Sequence, residues 1–205
     1  MKNKEISYEI IDFSGETNVQ FRTSVDPGSY IPTHWHRAIE IIYMQEGSLD
    51  VTVESESFTI HEGDCILVNG NVLHSTKCTA PNTAILLQIP LDFMAKYIPD
   101  LGQLIFLWDY RTEDPVKKTK LMMLKTTLEQ LQVINDIRPD GYLLRFNSLI
   151  FELLFQLYHN FSVKVFHQNI NQRQKEMDRL DPVLNYIAEH YKEPISLDEI
   201  ADIAC

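Results

Sequence analysis

Cysteine is scarce in this chain: Cys65, Cys78 and Cys205 are an odd number, widely spaced. They build neither a disulfide framework nor a Cys-x-x-Cys site, and they predict a reduced, cytoplasmic protein. Positive charge is in short supply too. Eighteen Lys and Arg against 29 Asp and Glu leave a formal charge of −11, which opposes binding to a phosphate backbone by the chain as it stands. No stretch approaches the roughly 18 apolar residues of a membrane span. The N-terminal Met1-Lys-Asn-Lys-Glu-Ile-Ser-Tyr-Glu9 has no apolar run and so no signal peptide. There is no Gly-rich phosphate loop, internal repeat or low-complexity segment. Aromatics are plentiful: ten Phe, nine Tyr and two Trp in a chain that is 44% hydrophobic. That argues against disorder and supplies a sizeable core for 205 residues.

The first ninety residues read as β structure. Ile6, Tyr8 and Ile10 alternate with polar neighbours, as do Val19, Phe21, Thr23 and Val25. Leu49, Val51 and Val53 share one face, and Phe58 and Ile60 another. Cys65–Val68 and Ala84–Leu87 are continuous apolar runs, expected for strands covered on both sides. Turn signals separate them at Asp26-Pro27-Gly28, Glu46-Gly47-Ser48, Glu62-Gly63-Asp64, Asn69-Gly70-Asn71 and Pro81-Asn82. Short strands punctuated this way predict a sandwich or barrel over residues 1–90.

After Pro90 the period changes. Residues 91–110 are apolar and aromatic and predict short helices. Leu121, Leu124, Leu128 and Leu131 recur at 3-4-3 spacing within a helix over 117–135. Arg138-Pro139-Asp140-Gly141 interrupts it. A second helix over 142–161 carries Phe146, Leu149, Leu153 and Leu157 on one stripe, widened by Leu143, Leu144, Ile150 and Leu154. A stripe this wide must be covered on most sides. The barrel takes part of it, and a second copy of the chain is the simplest cover for the rest. Residues 91–161 are therefore assigned to dimerisation through Leu121, Leu124, Leu128 and Leu131 of the first helix and Phe146, Leu149, Leu153 and Leu157 of the second. Residues 162–180 are polar and read as a linker. Asp181-Pro182 opens a further helix with Val183, Leu184, Ile187 and Tyr191 on its apolar face. Ser196-Leu-Asp-Glu199 is a capping box that starts another.

The stretch whose residue types point to chemistry runs from Gly28 to Gly47. His34, His36 and Glu40 lie at even offsets, which puts them on one face if the segment is a single strand. Trp35 and Tyr43 then face the other way, Trp35 packing on the helical cover. Tyr30 and Arg37, at strand ends, are candidates for polar contacts to a ligand. Two imidazoles and a carboxylate on one face form half of a metal site.

The spacing of this stretch resembles the first motif of the cupin family at every fixed position: Gly28, five residues, His34-x-His36, three residues, Glu40, six residues, Gly47. A second cupin motif starts at Gly63 and places His74 where that family has its third histidine. Asn69, Asn71 and Cys78 replace its usual Pro, Gly and Asn. Asn tolerates positive φ, so the turn before His74 can still form. The resemblance implies a jelly-roll barrel and the ligand set His34, His36, Glu40 and His74. Besides a purely structural polar network, two readings of that set stand side by side. One is a divalent Zn, Mn, Fe or Ni centre with open positions. The other is a metal-free polar pocket for a sugar or related metabolite, whose buried groups would need satisfied hydrogen bonds.

Tyr186-Ile187, His190-Tyr191 and Pro194-Ile-Ser-Leu-Asp-Glu-Ile-Ala201 resemble the entry to the DNA-binding domain of AraC-type transcription regulators. In that family a helix-turn-helix follows, with Leu197 and Ala201 at matching positions. Its second helix reads DNA, and residues 181–205 stop before one. The combined resemblance implies an α+β chain: a cupin-type effector barrel, a helical dimerisation segment and the first helices of an incomplete helix-turn-helix domain. The expected partners are a sugar-like effector and a second copy of the chain, with DNA bound only through a further domain and no membrane. The alternative is a metal-dependent cupin enzyme, an oxygenase or isomerase.

Overall fold

The computed structural model describes residues 6–13, 15–165, 182–183, 186–187, 190 and 192–204. Residues 1–164 form one unit and residues 165–205 another. In the first unit, nine strands make two sheets. Strands β1 (Ser7–Tyr8), β3 (Tyr30–Trp35), β8 (His74–Lys77), β5 (Ser48–Val53) and β6 (Glu56–His61) lie in that order in one sheet. Strands β2 (Gln20–Asp26), β9 (Asn82–Pro90), β4 (Ala38–Glu46) and β7 (Cys65–Val68) form the other. Ile42, Met44, Ile66 and Ala84 of the second sheet pack against Val51 and Ile60 of the first. This is a double-sheet jelly roll.

The outer face of the second sheet is covered as well. Ile39, Ile41, Ile85, Leu87 and Ile89 point out of the sandwich and pack under two helices, α2 (Pro115–Ile137) and α3 (Tyr142–Gln156). Cover on both faces explains why β7 and β9 read as unbroken apolar runs. It also corrects the assignment of the helical stripe. Leu121, Leu124, Leu128, Leu131, Phe146, Leu149, Leu153 and Leu157 are all buried within the single chain. They are the helix-on-sheet core and leave nothing of themselves for a partner.

Local chemistry sets the helix ends. Asp114 accepts from the amides of Val116 and Lys117 at 2.8 and 3.0 Å, with Pro115 at the first helical position. Arg138 (φ 46°) and Gly141 (φ 77°) turn the chain through the left-handed region between α2 and α3. A wider π-type turn at Leu157–Phe161 ends α3.

Two expectations hold only in part, one between the barrel and α2 and one after α3. Residues 91–110 hold only one short helix, α1 (Leu91–Met94), a 3-10 turn and strand β10 (Leu104–Phe106). Strand β10 pairs antiparallel with β11 (Ser162–Lys164), which occupies the start of the expected linker. Phe106, at 2% exposed, belongs to the core under the helices. That burial and the partner strand, distant in sequence, override the local pattern. No helix among the described residues is long and apolar enough to cross a membrane.

In the second unit α4 (Leu197–Ala204) starts at the expected capping box. Ser196 Oγ accepts from the Glu199 amide at 3.2 Å, and Glu199 Oε2 accepts from the Ser196 amide at 2.8 Å. The predicted cap Asp181, the face residues Leu184 and Tyr191, and most of the 162–180 linker lie outside the described residues.

Candidate metal centre

The Gly28–Gly47 stretch is two strands in opposing sheets. β3 ends at Trp35, β4 begins at Ala38, and His36 and Arg37 form the corner. The amides of Asn71 and Leu91 donate to the corner carbonyls of His36 and Arg37 at 2.9 and 3.0 Å. Pro32, which has no N–H to give a ladder, lies where the β3–β8 register shifts, between Ile31 and His34. After the shift His34 pairs directly with His74. The even spacing therefore acts differently from the single-face expectation. It places His34 on one sheet and Glu40 on the other, both turned into the sandwich.

The three histidines meet there. One nitrogen from each of His34, His36 and His74 lies within 4.8 Å of the others. Ring centroids are 4.1 Å apart for His34–His74, 4.9 Å for His36–His74 and 5.9 Å for His34–His36. All three side chains are buried. Each Nδ1 faces a backbone carbonyl: Pro32 at 2.8 Å, Ala38 at 3.0 Å and Val72 at 2.9 Å. A carbonyl only accepts, so these contacts put a proton on each Nδ1, and in the neutral ring the Nε2 lone pair is then turned to the cluster. This fixing of tautomer and ring orientation is what metal-ligating imidazoles require.

Glu40 borders the cluster. Its Oε2 is 3.3 Å from His36 Nε2, and its Oε1 is 3.8 Å from His74 Nε2. Gln88, opposite it on β9, donates to Oε2 at 2.7 Å. Burial opposes ionisation of Glu40, but the His36 hydrogen bond, the His74 and His36 imidazoles and Gln88 together hold its carboxyl below the ordinary value. Burial pushes the His74 pKa down to about 4, against the pull of the Glu40 carboxylate. His74 is thus neutral at pH 7, and its buried Nε2 has no hydrogen-bond partner. With a neutral His36, its Nε2 and Glu40 Oε2 are two acceptors 3.3 Å apart, a pairing that a proton or a metal cation between them makes favourable. An orphaned buried nitrogen, fixed Nδ1 tautomers and an excess of acceptors fit a cation at His34, His36 and His74.

Other candidate residues lie apart. Tyr30 is exposed, at the end of β3 away from His34. The Arg37 guanidinium reaches Asp92 at 3.1 Å and ties the corner to α1. Trp35 is buried on the Tyr8 ring, centroids 4.7 Å apart, instead of on the helices. The Asn69-Gly70-Asn71 turn forms with Asn71 at φ 63°. Asn69 also clamps β10, accepting from the Phe106 amide at 3.0 Å and donating to its carbonyl at 2.8 Å. Sequence reasoning missed Gln88 and Glu9. Gln88 is the lone polar residue in the Ala84–Ile89 run, a usable signal. Glu9, with Oε2 3.5 Å from His34 Nε2, has no local signal.

Residues 21–90, which hold this cluster, match the family model for the cupin domain. The chain is cupin-like over those residues. Beyond that domain it is similar to proteins named as transcriptional regulators. It is 23% identical to the uncharacterized HTH-type transcriptional regulator YdeC of Bacillus subtilis (strain 168), over 98% of this chain and 72% of that protein. It is 25% identical to the probable transcriptional regulator LumQ of Photobacterium leiognathi, over 83% of this chain and 61% of that protein. Among solved structures, an RmlC-like cupin from Shewanella frigidimarina NCIMB 400 is 26% identical, covering 37% of this chain and 70% of its own, with a TM-score of 0.33.

Proposed function

We propose that this chain is the ligand-sensing and dimerisation portion of an AraC-type transcription regulator. In this reading its cupin barrel receives a small polar metabolite of the sugar class at a cation-dependent site. The observation that carries the site is the set of three Nε2 atoms, each fixed by an Nδ1 contact to a carbonyl. His34, His36 and His74 would hold Zn, Mn, Fe or Ni, with Glu40 beside them. A bound divalent cation acts as a Lewis acid that draws oxygen ligands such as hydroxyls or carboxylates. The protein's own contribution is a buried setting and the Glu40 carboxylate, which accepts from Gln88 at 2.7 Å.

The relatives named as regulators, and the capped helix α4 after the barrel unit, support a sensory role over an enzymatic one. A metal-dependent oxygenase or isomerase would use the same histidines, and the cluster chemistry alone favours neither. DNA contact belongs, in this reading, to the length by which the relatives exceed this chain. A dimer would use the outer faces of α2 and α3, since the buried stripe is taken. Met122 and Met123 are 61% and 50% exposed there, beside a groove of about 460 Å³ that Arg145 and Glu152 also line.

The deciding experiment is the metal content of untagged protein purified without chelators, beside a His34→Ala/His74→Ala variant. Near-stoichiometric metal in the first and none in the second supports the site. A thermal-shift screen of sugars and hydroxy acids with the metal present then tests the effector. No metal in either protein overturns the cation-dependent reading. Turnover of a screened compound would replace the sensor with the enzyme.

A further inference from the structure

The second carboxylate at the cluster is Glu9, and it comes from the least anchored strand of the barrel. β1 is two residues long and pairs with β3 through Ser7 and Tyr8. The Glu9 amide donates to the Trp35 carbonyl at 2.9 Å, and the Tyr8 ring lies on Trp35. A two-residue strand at the edge of its sheet has a short ladder, which puts its docking toward the low end of a protein's local stability. Its side chain reaches inward all the same. Glu9 Oε2 is 3.5 Å from His34 Nε2, with the Glu9 side chain 44% exposed.

With Nδ1 of His34 donating to Pro32, a neutral ring turns the lone pair of Nε2 on Glu9. A carboxylate facing a lone pair gains nothing, whereas a carboxylate facing a cation held by that lone pair gains attraction. Charge points the same way. A divalent cation on three neutral imidazoles beside Glu40 leaves one positive charge uncompensated in a buried site, a costly arrangement. One more carboxylate neutralises it, and among the described residues Glu9 places one 3.5 Å from His34 Nε2. Glu40, on the opposite sheet from β1, already accepts from Gln88.

We propose that Glu9 supplies the second carboxylate to a divalent cation held by His34, His36 and His74, and so makes the docking of β1 depend on that cation. This rests on the cation reading of the barrel site. Reciprocity follows: whatever the cation contributes to holding Glu9, Glu9 contributes to holding the cation. The N-terminal strand would then report the occupancy of the site at the surface of the barrel.

The test uses the whole chain, with Zn²⁺, Mn²⁺, Fe²⁺ and Ni²⁺ offered in turn against a competing chelator. Wild type is compared with Glu9→Gln, a change at a partly exposed side chain that leaves the core intact. The expected result is one cation per chain in both, bound about tenfold more weakly by the variant. Amide exchange at Tyr8 and Glu9 should slow on cation binding in wild type and stay fast in Glu9→Gln. Equal affinities, or exchange at β1 indifferent to the cation, would overturn the proposal and leave the cation site standing. Failure of wild type to bind any of the four would remove the cation reading and this proposal together.

Discussion

Glu40 on β4 and Gln88 on β9 are direct cross-strand partners, and Gln88 Nε2 donates to Glu40 Oε2 at 2.7 Å inside the sandwich. A buried carboxylate is costly unless hydrogen-bonded. Gln88→Leu should therefore destabilise the chain by about 1–3 kcal/mol, because it strands a charge-bearing acceptor. Urea unfolding at pH 7 measures this. The double variant Glu40→Gln/Gln88→Leu should cost less than the sum of the two single changes, since each removes what the other needed. Strict additivity would mean that the pair is not coupled.

The His74 imidazole gives the fold a defined pH dependence. Its folded pKa of about 4 lies below the ordinary 6.5. Between those values the unfolded chain binds a proton that the folded chain refuses, so stability rises with pH there. The contribution is complete above pH 6.5 and shrinks by about 3 kcal/mol as pH falls to 4. Glu40, with its carboxyl held below the ordinary value, adds a further loss as pH drops through its folded pKa. Chelator-treated wild type and His74→Asn should be compared by urea unfolding at pH 7 and pH 4.5. The variant should lose distinctly less stability over that interval. Parallel losses would place the titration elsewhere.

The Asn69 side chain mimics a strand partner, taking both the N–H and the C=O of Phe106. Asn69→Ala leaves both backbone groups of a core strand unpaired and should cost about 1–3 kcal/mol. The Phe106 amide should then exchange faster with solvent, measured by hydrogen–deuterium exchange, while the β4–β9 ladder keeps its protection. Loss of protection throughout the barrel would show that this clamp is part of the global unfolding unit.

Much of the barrel was legible because its chemistry is local. Alternation at Leu49, Val51 and Val53 and the unbroken runs at Cys65–Val68 and Ala84–Leu87 each mark which faces are covered. The three histidines and their glutamate were legible as a spacing. Their geometry was not, because the chain changes sheets at His36-Arg37 and spacing alone cannot show a corner. Strands β10 and β11 were hidden for a similar reason: each is three residues long, and its partner lies far off in sequence. Glu9 is further from reach still. Its place depends on β1 pairing parallel to β3, a long-range register that leaves no periodic trace. The helical stripe was read correctly as apolar and misassigned as to its cover, since sequence shows the width of a face and not what lies on it.

That misassignment makes a sharp prediction, because core and interface respond to different substitutions. Leu124, Leu128 and Leu131 are fully buried within one chain. Leu128→Ala should therefore cost about 2–5 kcal/mol through a cavity between α2 and the sheet. This loss should be independent of protein concentration. Met122 and Met123 face outward on the same helix, and Phe155 is 57% exposed on α3. Replacing Met122 and Phe155 by Ser should alter monomer stability by no more than about 0.5 kcal/mol per site. If the outer faces of α2 and α3 join two copies, the same double variant should convert a dimer to a monomer in light scattering. A wild-type monomer across the concentration range would remove the helical dimer. A dimer that survives Met122→Ser/Phe155→Ser would move the interface to another surface of the barrel.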